Sequence, residues 1–338
     1  MPLVSILKKS DPQNSIFYWS NIRVKPILES NPNLDKIFAL SRGDLKNISQ
    51  NSGYTALKLF FDLIRDLKKE RFDLAFDFSL DYRYSMFLRL LGVKRIIGFD
   101  YKNRGRFLTD KIRINGYQDR HVVEYYLDTL KFIGVFLDHK PEIQLFLPDT
   151  DIAWAENFLK VHNIKDNDLI IGIAPGGGAS WGGNALYLRW PQDKFASLAH
   201  MLAKKDNAKI ILFGSADEAG LCEQIEYSLK NKIINTSGKI TLTQYGALFK
   251  KCNIAICNDA GPLHIAVALG LKTVCICGPV DEKVYGPYPL KPIHRIVKEN
   301  LPCQPCYKNF RFPGCPYNRK CIQDITVDEV YSAVKSLL

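Results

Sequence analysis

Two stretches of this sequence concentrate residues whose types and spacing could do chemistry. The first is Asn258-Asp259-Ala260-Gly261-Pro262-Leu263-His264, which closes the apolar run IAICN and opens a helix that Gly270 ends. A plain helix start needs one capping side chain, and Asp259 alone would contribute about 1 kcal/mol in that role. Pro262 suits the first turn, where a missing N–H costs little. The free amides of Ala260, Gly261 and the residues beyond, reinforced by the helix dipole, favour a diphosphate. His264 reads either as a ligand contact or as a satisfied core histidine.

The second stretch is the loop APGGGASWGGNALYLRWP (174–191), between an apolar strand and a helix. Its glycines let the backbone approach a ligand closely, first at Gly176, Gly177 and Gly178 and onward to Ala179 and Ser180. No Gly-Lys-Ser/Thr follows and no G-x-G-x-x-G spacing is present, so it is neither of the common phosphate loops. A third cluster lies near the C-terminus: Cys303, Cys306, Cys315 and Cys321, spaced C-x2-C-x8-C-x5-C. Four thiols in a Pro-rich segment read as a structural zinc site or as reduced thiols packed on the neighbouring domain.

The elements that must position these residues alternate strand and helix. In the C-terminal half, strands are expected at 169–174, 209–214, 232–237, 254–258 and 273–277, with helices at 190–205, 217–230 and 242–252 between them. That alternation predicts a doubly wound parallel sheet whose ligand crevice lies at the carboxyl ends of its strands. The N-terminal half repeats it, with strands at 15–20, 36–40, 74–79 and 95–99. The expected organisation is an N-terminal domain over 1–148, a C-terminal domain over 149–325 with its Cys-rich segment at 303–321, and a terminal helix over 326–338. Two such domains would face each other across a cleft.

The chain begins on PLVSILKK, which reads as a helix, so the first strand of the first domain is missing from the pattern. That strand is usually central in a doubly wound sheet, and its absence exposes two strand edges. The expectation is that Met1 is an internal methionine of a longer chain.

With 46% hydrophobic and 24% charged residues among 338, the composition is that of a soluble globular protein. No apolar run approaches the roughly 20 residues that span a bilayer, and the N-terminus lacks the succession of a signal peptide. A cytoplasmic location is expected. Five of the nine cysteines, Cys222, Cys252, Cys257, Cys275 and Cys277, lie in or beside helix and strand patterns, which suits reduced core thiols. The net charge of +11 is spread along the chain. It suits a phosphate-bearing substrate or an anionic membrane surface, and no nucleic-acid motif accompanies it.

The segments Asp259 to His264, AVALGLKTVCICGP (266–279), YGPY (285–288) and APGGG…LRWPQDKFASLAHML (174–202) resemble glycosyltransferase family 9, the ADP-heptose:lipopolysaccharide heptosyltransferases. RFDLAFDF, RIIGFD and DRHVVEYYLDTLKFIG resemble that family's N-terminal domain more loosely. The resemblance implies an α/β GT-B fold of two Rossmann-like domains and a metal-independent, inverting transfer of heptose from a nucleotide-diphosphate donor. The acceptor it implies is an anionic glycolipid, the lipopolysaccharide core, reached from the inner face of the membrane. It also implies diphosphate contacts at Gly178 to Ser180, Arg189 and the Asp259 helix, ribose contacts from Glu218, and adenine packing on Ile240.

Three departures from the family pattern stand out. Ala260 replaces a Ser or Thr, Leu188 replaces a Lys, and the loop that carries the family's general-base aspartate has no counterpart here. Asp77 and Asp100, at the carboxyl ends of N-terminal strands, and His121 are the remaining candidates for catalytic work. Two other readings stay open: a sugar-nucleotide epimerase of the same fold, and a nucleotide-sugar-binding protein without a catalytic base.

Overall fold

The computed structural model describes residues 2–230 and 233–338, and it leaves the side chain of Ala179 outside the description. The chain divides into two compact units. The first runs up to Tyr117 and again over Val122–Lys140; the second takes Gln118–His121 and then Pro141–Leu338.

The second unit is built on one six-stranded sheet. Its strands are β6 (Ile170–Ala174), β7 (Lys209–Leu212), β8 (Ile234–Asn235), β9 (Ile254–Asn258), β10 (Lys272–Ile276) and β11 (His294–Val297), all paired in parallel. Their order is β11-β10-β9-β6-β7-β8, so the winding reverses between β9 and β6. Both of these strands are buried at every position, as expected for parallel strands covered on both faces.

Successive side chains feed two separate cores. Ile171, Ile173, Ile254, Ile256, Val274 and Ile276 pack on one face of the sheet. Ala174, Ala255, Cys257, Cys275 and Cys277 pack on the other. The five core thiols are therefore free and buried among apolar side chains. Helices seal the faces by helical spacing: Phe195, Leu198, Ala199 and Leu202 are the buried stripe of the Gln192–Lys205 helix. Capping boxes at Thr241/Gln244 and Thr326/Glu329 start the Leu242–Lys250 and Val327–Lys335 helices.

The first unit holds two smaller parallel sheets in place of one. One pairs β1 (Phe17–Ser20) with β2 (Lys36–Ala39), and the other has the order β3-β4-β5, from Leu74–Asp77, Arg95–Tyr101 and Asp110–Ile114. Among the described residues β1 pairs only with β2 and β3 only with β4, and both are half-buried along their length. The chain enters this unit through the Pro2–Ser10 helix.

Two expectations change in detail. The strand expected over 232–237 shrinks to Ile234–Asn235, its Lys232 lying outside the described residues. The strands Asp110–Ile114 and His294–Val297 have no counterpart in the sequence reading. Both are short, sit at sheet edges and mix charged with apolar side chains, so they lack the apolar run that marks a buried parallel strand.

Candidate functional site

The carboxyl ends of β6 and β9, on either side of the reversal in strand order, bring the two chemistry-bearing stretches together. After β6 the backbone turns through Gly177 (φ 107°) and Gly178 (φ 76°), a region L side chains avoid. The next segment, Ala179–Leu188, is 3-10 helix broken by a kink at Gly182. A Cβ placed on Gly177 would stand 2.4 Å from the Cβ of Ala260, so the glycine loop lies directly against the start of the Gly261–Ala268 helix. On Gly176 a Cβ would stand 2.2 Å from a Glu218 carboxylate oxygen.

Asn258 holds this junction. Its amide nitrogen donates to the carbonyls of Pro175 (2.8 Å) and Gly176 (2.9 Å), and its Oδ1 accepts from the Trp190 backbone amide at 3.0 Å. The side chain is buried, so each of these bonds forms where water cannot substitute. The sequence reading gave Asn258 no role beyond closing the strand; its signal was a polar residue in the last position of an otherwise apolar strand.

Asp259 does not act as the helix cap. Ala260 occupies that position with no side-chain cap bond. The Asp259 carboxyl is buried and accepts from the Cys277 thiol at 3.7 Å. Burial lifts it to about 7, the Cys277 bond opposing the rise and the Glu282 carboxylate adding to it. Glu282 is in turn paired with Lys298. In the first turn Pro262 has no N–H and Leu263 N bonds back to Ala260 O at 3.0 Å, so the amides left to a ligand are those of Ala260 and Gly261, which have no partner among the interactions of the described residues.

Glu218 is committed to the loop. Its Oε1 accepts from Gly177 N at 2.5 Å and its Oε2 from Ser215 N at 2.8 Å, as the far side of a capping box. Arg189 clasps the same loop, Nε donating to Gly177 O at 3.0 Å and Nη2 lying 3.6 Å from Glu218. Leu188, standing where a lysine would be expected from the resemblance, is buried in the core beside Leu263. Arg189 thus sets a cation on the Gly177 turn itself. Ser180 is exposed, while Ile240 packs partly buried against the same core.

His121 belongs to this unit. It is buried, stacks on Tyr288 (centroids 4.6 Å apart) and bonds through Nε2 to the Gly286 carbonyl at 3.1 Å. That fastens Gln118–His121 to the YGPY segment. Burial lowers His264 to about 4, with His121 nearby adding to the effect, so His264 is neutral near pH 7.

The two aspartate candidates of the first unit differ. Asp100 is buried and spent on structure: it accepts from Gly105 N at 2.9 Å and lies 3.6 Å from Lys111. Asp77 ends β3 and accepts from Ser79 N at 2.9 Å. Burial raises its carboxyl above the ordinary range, against the bonds from Ser79 and with help from Asp81.

The Cys-rich segment supports the glycine loop from the far side. The rings of Tyr307 and Phe312 pack tilted against Trp181, centroids 5.0 and 5.1 Å away, and Arg319 donates to Leu186 O at 2.9 Å. Two of its four thiols are hydrogen-bonded within the segment: Cys306 donates to Cys303 O at 3.1 Å, and Cys315 accepts from Arg319 N at 3.3 Å. Among the described residues no group of three or more His, Cys, Asp or Glu is placed to hold an ion, so the zinc reading gains no support.

Comparison with known proteins agrees with this picture. A sequence profile of glycosyltransferase family 9 (heptosyltransferase) matches residues 60–312. Lipooligosaccharide heptosyltransferase 2 of Campylobacter jejuni is 28% identical over 278 residues, covering 80% of this chain and 78% of the relative. The crystal structure of a family 9 glycosyltransferase from Veillonella parvula superposes with a TM-score of 0.83 at 22% identity, covering 99% of this chain and 92% of that one. The ADP-heptose lipopolysaccharide heptosyltransferase II of Escherichia coli superposes with a TM-score of 0.75 at 20% identity, covering 99% and 93%. These likenesses show a two-domain, Rossmann-like GT-B fold.

Proposed function

This chain belongs to glycosyltransferase family 9, and we propose that it moves a heptose, or a related sugar, from an ADP-sugar to a lipopolysaccharide-core acceptor, with inversion and without a metal. One observation carries the reading: an uncapped helix start at Ala260 with a left-handed glycine turn pressed against it. The printed functions of the relatives point the same way.

In a direct displacement the acceptor hydroxyl attacks the anomeric carbon while the bond to the diphosphate breaks, so negative charge grows on the departing phosphate oxygen. Preorganised amides aimed at that charge stabilise the transition state more than the ground state. The helix dipole contributes about 0.3–1 kcal/mol in exposed settings and up to about 2 when partly buried. Asp259, lifted to about 7, is substantially protonated near neutrality and so repels a diphosphate little. Arg189 sets a guanidinium beside the loop. Glu218 keeps lone pairs for ribose hydroxyls, since a carboxylate accepts about four hydrogen bonds and two are in use here. Asp77 is the better candidate general base of the two aspartates, because burial raises its carboxyl, the direction a general base needs, and Asp100 is occupied. A basic chain suits an anionic lipid-borne acceptor at the inner membrane face; no helix among the described residues is long and apolar enough to cross a membrane.

Calorimetric titration with ADP, UDP and GDP tests the donor. Selective ADP binding is expected. Preference for UDP or GDP overturns the ADP-sugar assignment, and binding of none overturns the nucleotide-sugar reading. Asp77→Asn should then slow turnover by about 10²–10⁴ with ADP binding unchanged; unaltered turnover removes Asp77 as the base.

A further inference from the structure

The Gly53–Glu70 helix of the first unit is apolar on two faces. Ala56, Leu63 and Leu67, spaced i, i+7, i+11, are its buried face. Tyr54, Leu57 and Phe61, spaced i, i+3, i+7, form a second stripe on the solvent side, 79%, 55% and 59% exposed. Because the core face is already satisfied, the second stripe is surplus to folding. Water-facing Tyr, Leu and Phe in line on one helix mark a contact surface.

The charges around the stripe are ordered. Lys68 continues its line seven residues beyond Phe61, and Lys58 and Arg65, each four residues after an aromatic member, run along one flank. Lys58 and Lys68 are exposed and have no ion-pair partner among the interactions of the described residues. The helix's acids are taken up by other cations: Asp62 and Asp66 pair with Arg65 on that flank (2.9 and 3.6 Å), Asp66 also with Lys69 at 3.5 Å, and Glu70 with Lys36 at 2.7 Å. That leaves Lys58 and Lys68 as the basic groups facing solvent beside the stripe. An aromatic and leucine stripe edged by long basic side chains matches a helix lying in a headgroup layer, rings in the acyl boundary and lysines reaching phosphates.

We propose that this outer face of the Gly53–Glu70 helix docks on an anionic lipid bilayer, bringing the enzyme to its acceptor. The proposal rests on the reading of a lipid-borne acceptor. It adds which surface meets the lipid, and the protein's net charge of +11 supplies the long-range attraction.

Flotation of the full chain with vesicles of phosphatidylcholine and phosphatidylglycerol at roughly 3:1, against phosphatidylcholine alone, is the test. The wild type should float with the anionic vesicles and be released by about 0.5 M salt. Leu57→Glu/Phe61→Glu and, separately, Lys58→Glu/Lys68→Glu should each weaken flotation about ten-fold or more. The charge-reversal pair touches no buried side chain, so it reads the surface even where the first pair perturbs folding. Variants that float like the wild type, or a wild type that does not float, overturn the proposal. So does a wild-type dimer that Leu57→Glu/Phe61→Glu converts to monomer, since a second copy then covers the stripe. ADP titration of the same samples separates the two ideas: retained ADP binding with no flotation sinks the surface alone, and absent ADP binding in the wild type sinks the transferase reading.

Discussion

Asn258 and Asp77 both end a parallel strand, in very different surroundings. At Asn258 the strand has sheet neighbours on both sides, every residue of it is buried, and its terminal side chain ties three backbone groups of the glycine loop that follows the neighbouring strand β6. At Asp77 the strand pairs on one side, is half-buried, and its carboxylate bonds to a neighbour two residues on. The second unit therefore fixes its loops through long-range contacts, whereas the first fixes them locally. A site that must hold a fixed array of amides gains from the former arrangement. The latter leaves its loops freer to adjust.

The sharpest break of this comparison is a pair of tryptophans. Trp190 is buried, meets Phe195 edge-on at 5.0 Å and donates to Ile325 O at 3.0 Å. Trp190→Ala should cost about 3–5 kcal/mol in urea denaturation. Trp19, on β1, is half-buried, packs edge-on against Tyr84 and Phe87 at 5.3 and 5.7 Å, and donates to Leu40 O at 2.9 Å. Trp19→Ala should cost about 1–3 kcal/mol. Equal losses would mean that the two sheets are equally well supported.

Next in size is Asp259. An unfolded aspartate ionises near pH 4, and the folded one at about 7. Between those values the folded state binds more protons, so stability falls as pH rises through the interval and is flat above it. Asp259→Asn removes that cost. The variant should match the wild type near pH 3, below the unfolded value, and exceed it by up to about 4 kcal/mol near pH 8.5. A constant difference across pH would show that Asp259 is ionised in the fold.

What the sequence made legible follows the same division. The Asp259 helix and the glycine loop could be read because buried parallel strands are unbroken apolar runs, and the residues after such runs stand out. Asn258 escaped because its role depends on three partners far away in sequence. The Asp259 cap was misjudged because the choice between capping and burial depends on Cys277 and Ile276, which bond to that residue from the neighbouring strand and its end. His121 was placed with its sequence neighbours, and only the Gly286 and Tyr288 contacts reveal that it belongs to the second unit. Cysteine spacing indicated four thiols in one segment, but it carried no information about their orientation.

Gly177 against Gly134 sharpens the comparison at the backbone level. Gly134 has φ 76° and open space where a Cβ would go, so Gly134→Ala should cost about 1 kcal/mol and leave ADP affinity alone. Gly177→Ala adds a collision with Ala260 to the strained φ, so about 1–3 kcal/mol is expected. Since the collision moves the loop off the helix start, ADP affinity should drop about ten-fold or more in calorimetry. An unaltered affinity would detach the glycine loop from the nucleotide.

The smallest effect is expected at Asp77, whose carboxyl is also raised by burial, but with the Ser79 bonds opposing. The sign matches Asp259: the folded state holds its proton to higher pH than the unfolded chain, so stability falls with rising pH across the start of that range. Asp77→Asn should flatten that slope by less than Asp259→Asn does, because Ser79 stabilises the ionised form where the Cys277 thiol gives Asp259 only a weak bond. Parallel thermal melts of the two variants from acid to mildly alkaline pH measure both slopes. If Asp77→Asn destabilises at every pH, the Ser79 bond outweighs burial, and the first unit then holds its strand end more firmly than its half-open sheet implies.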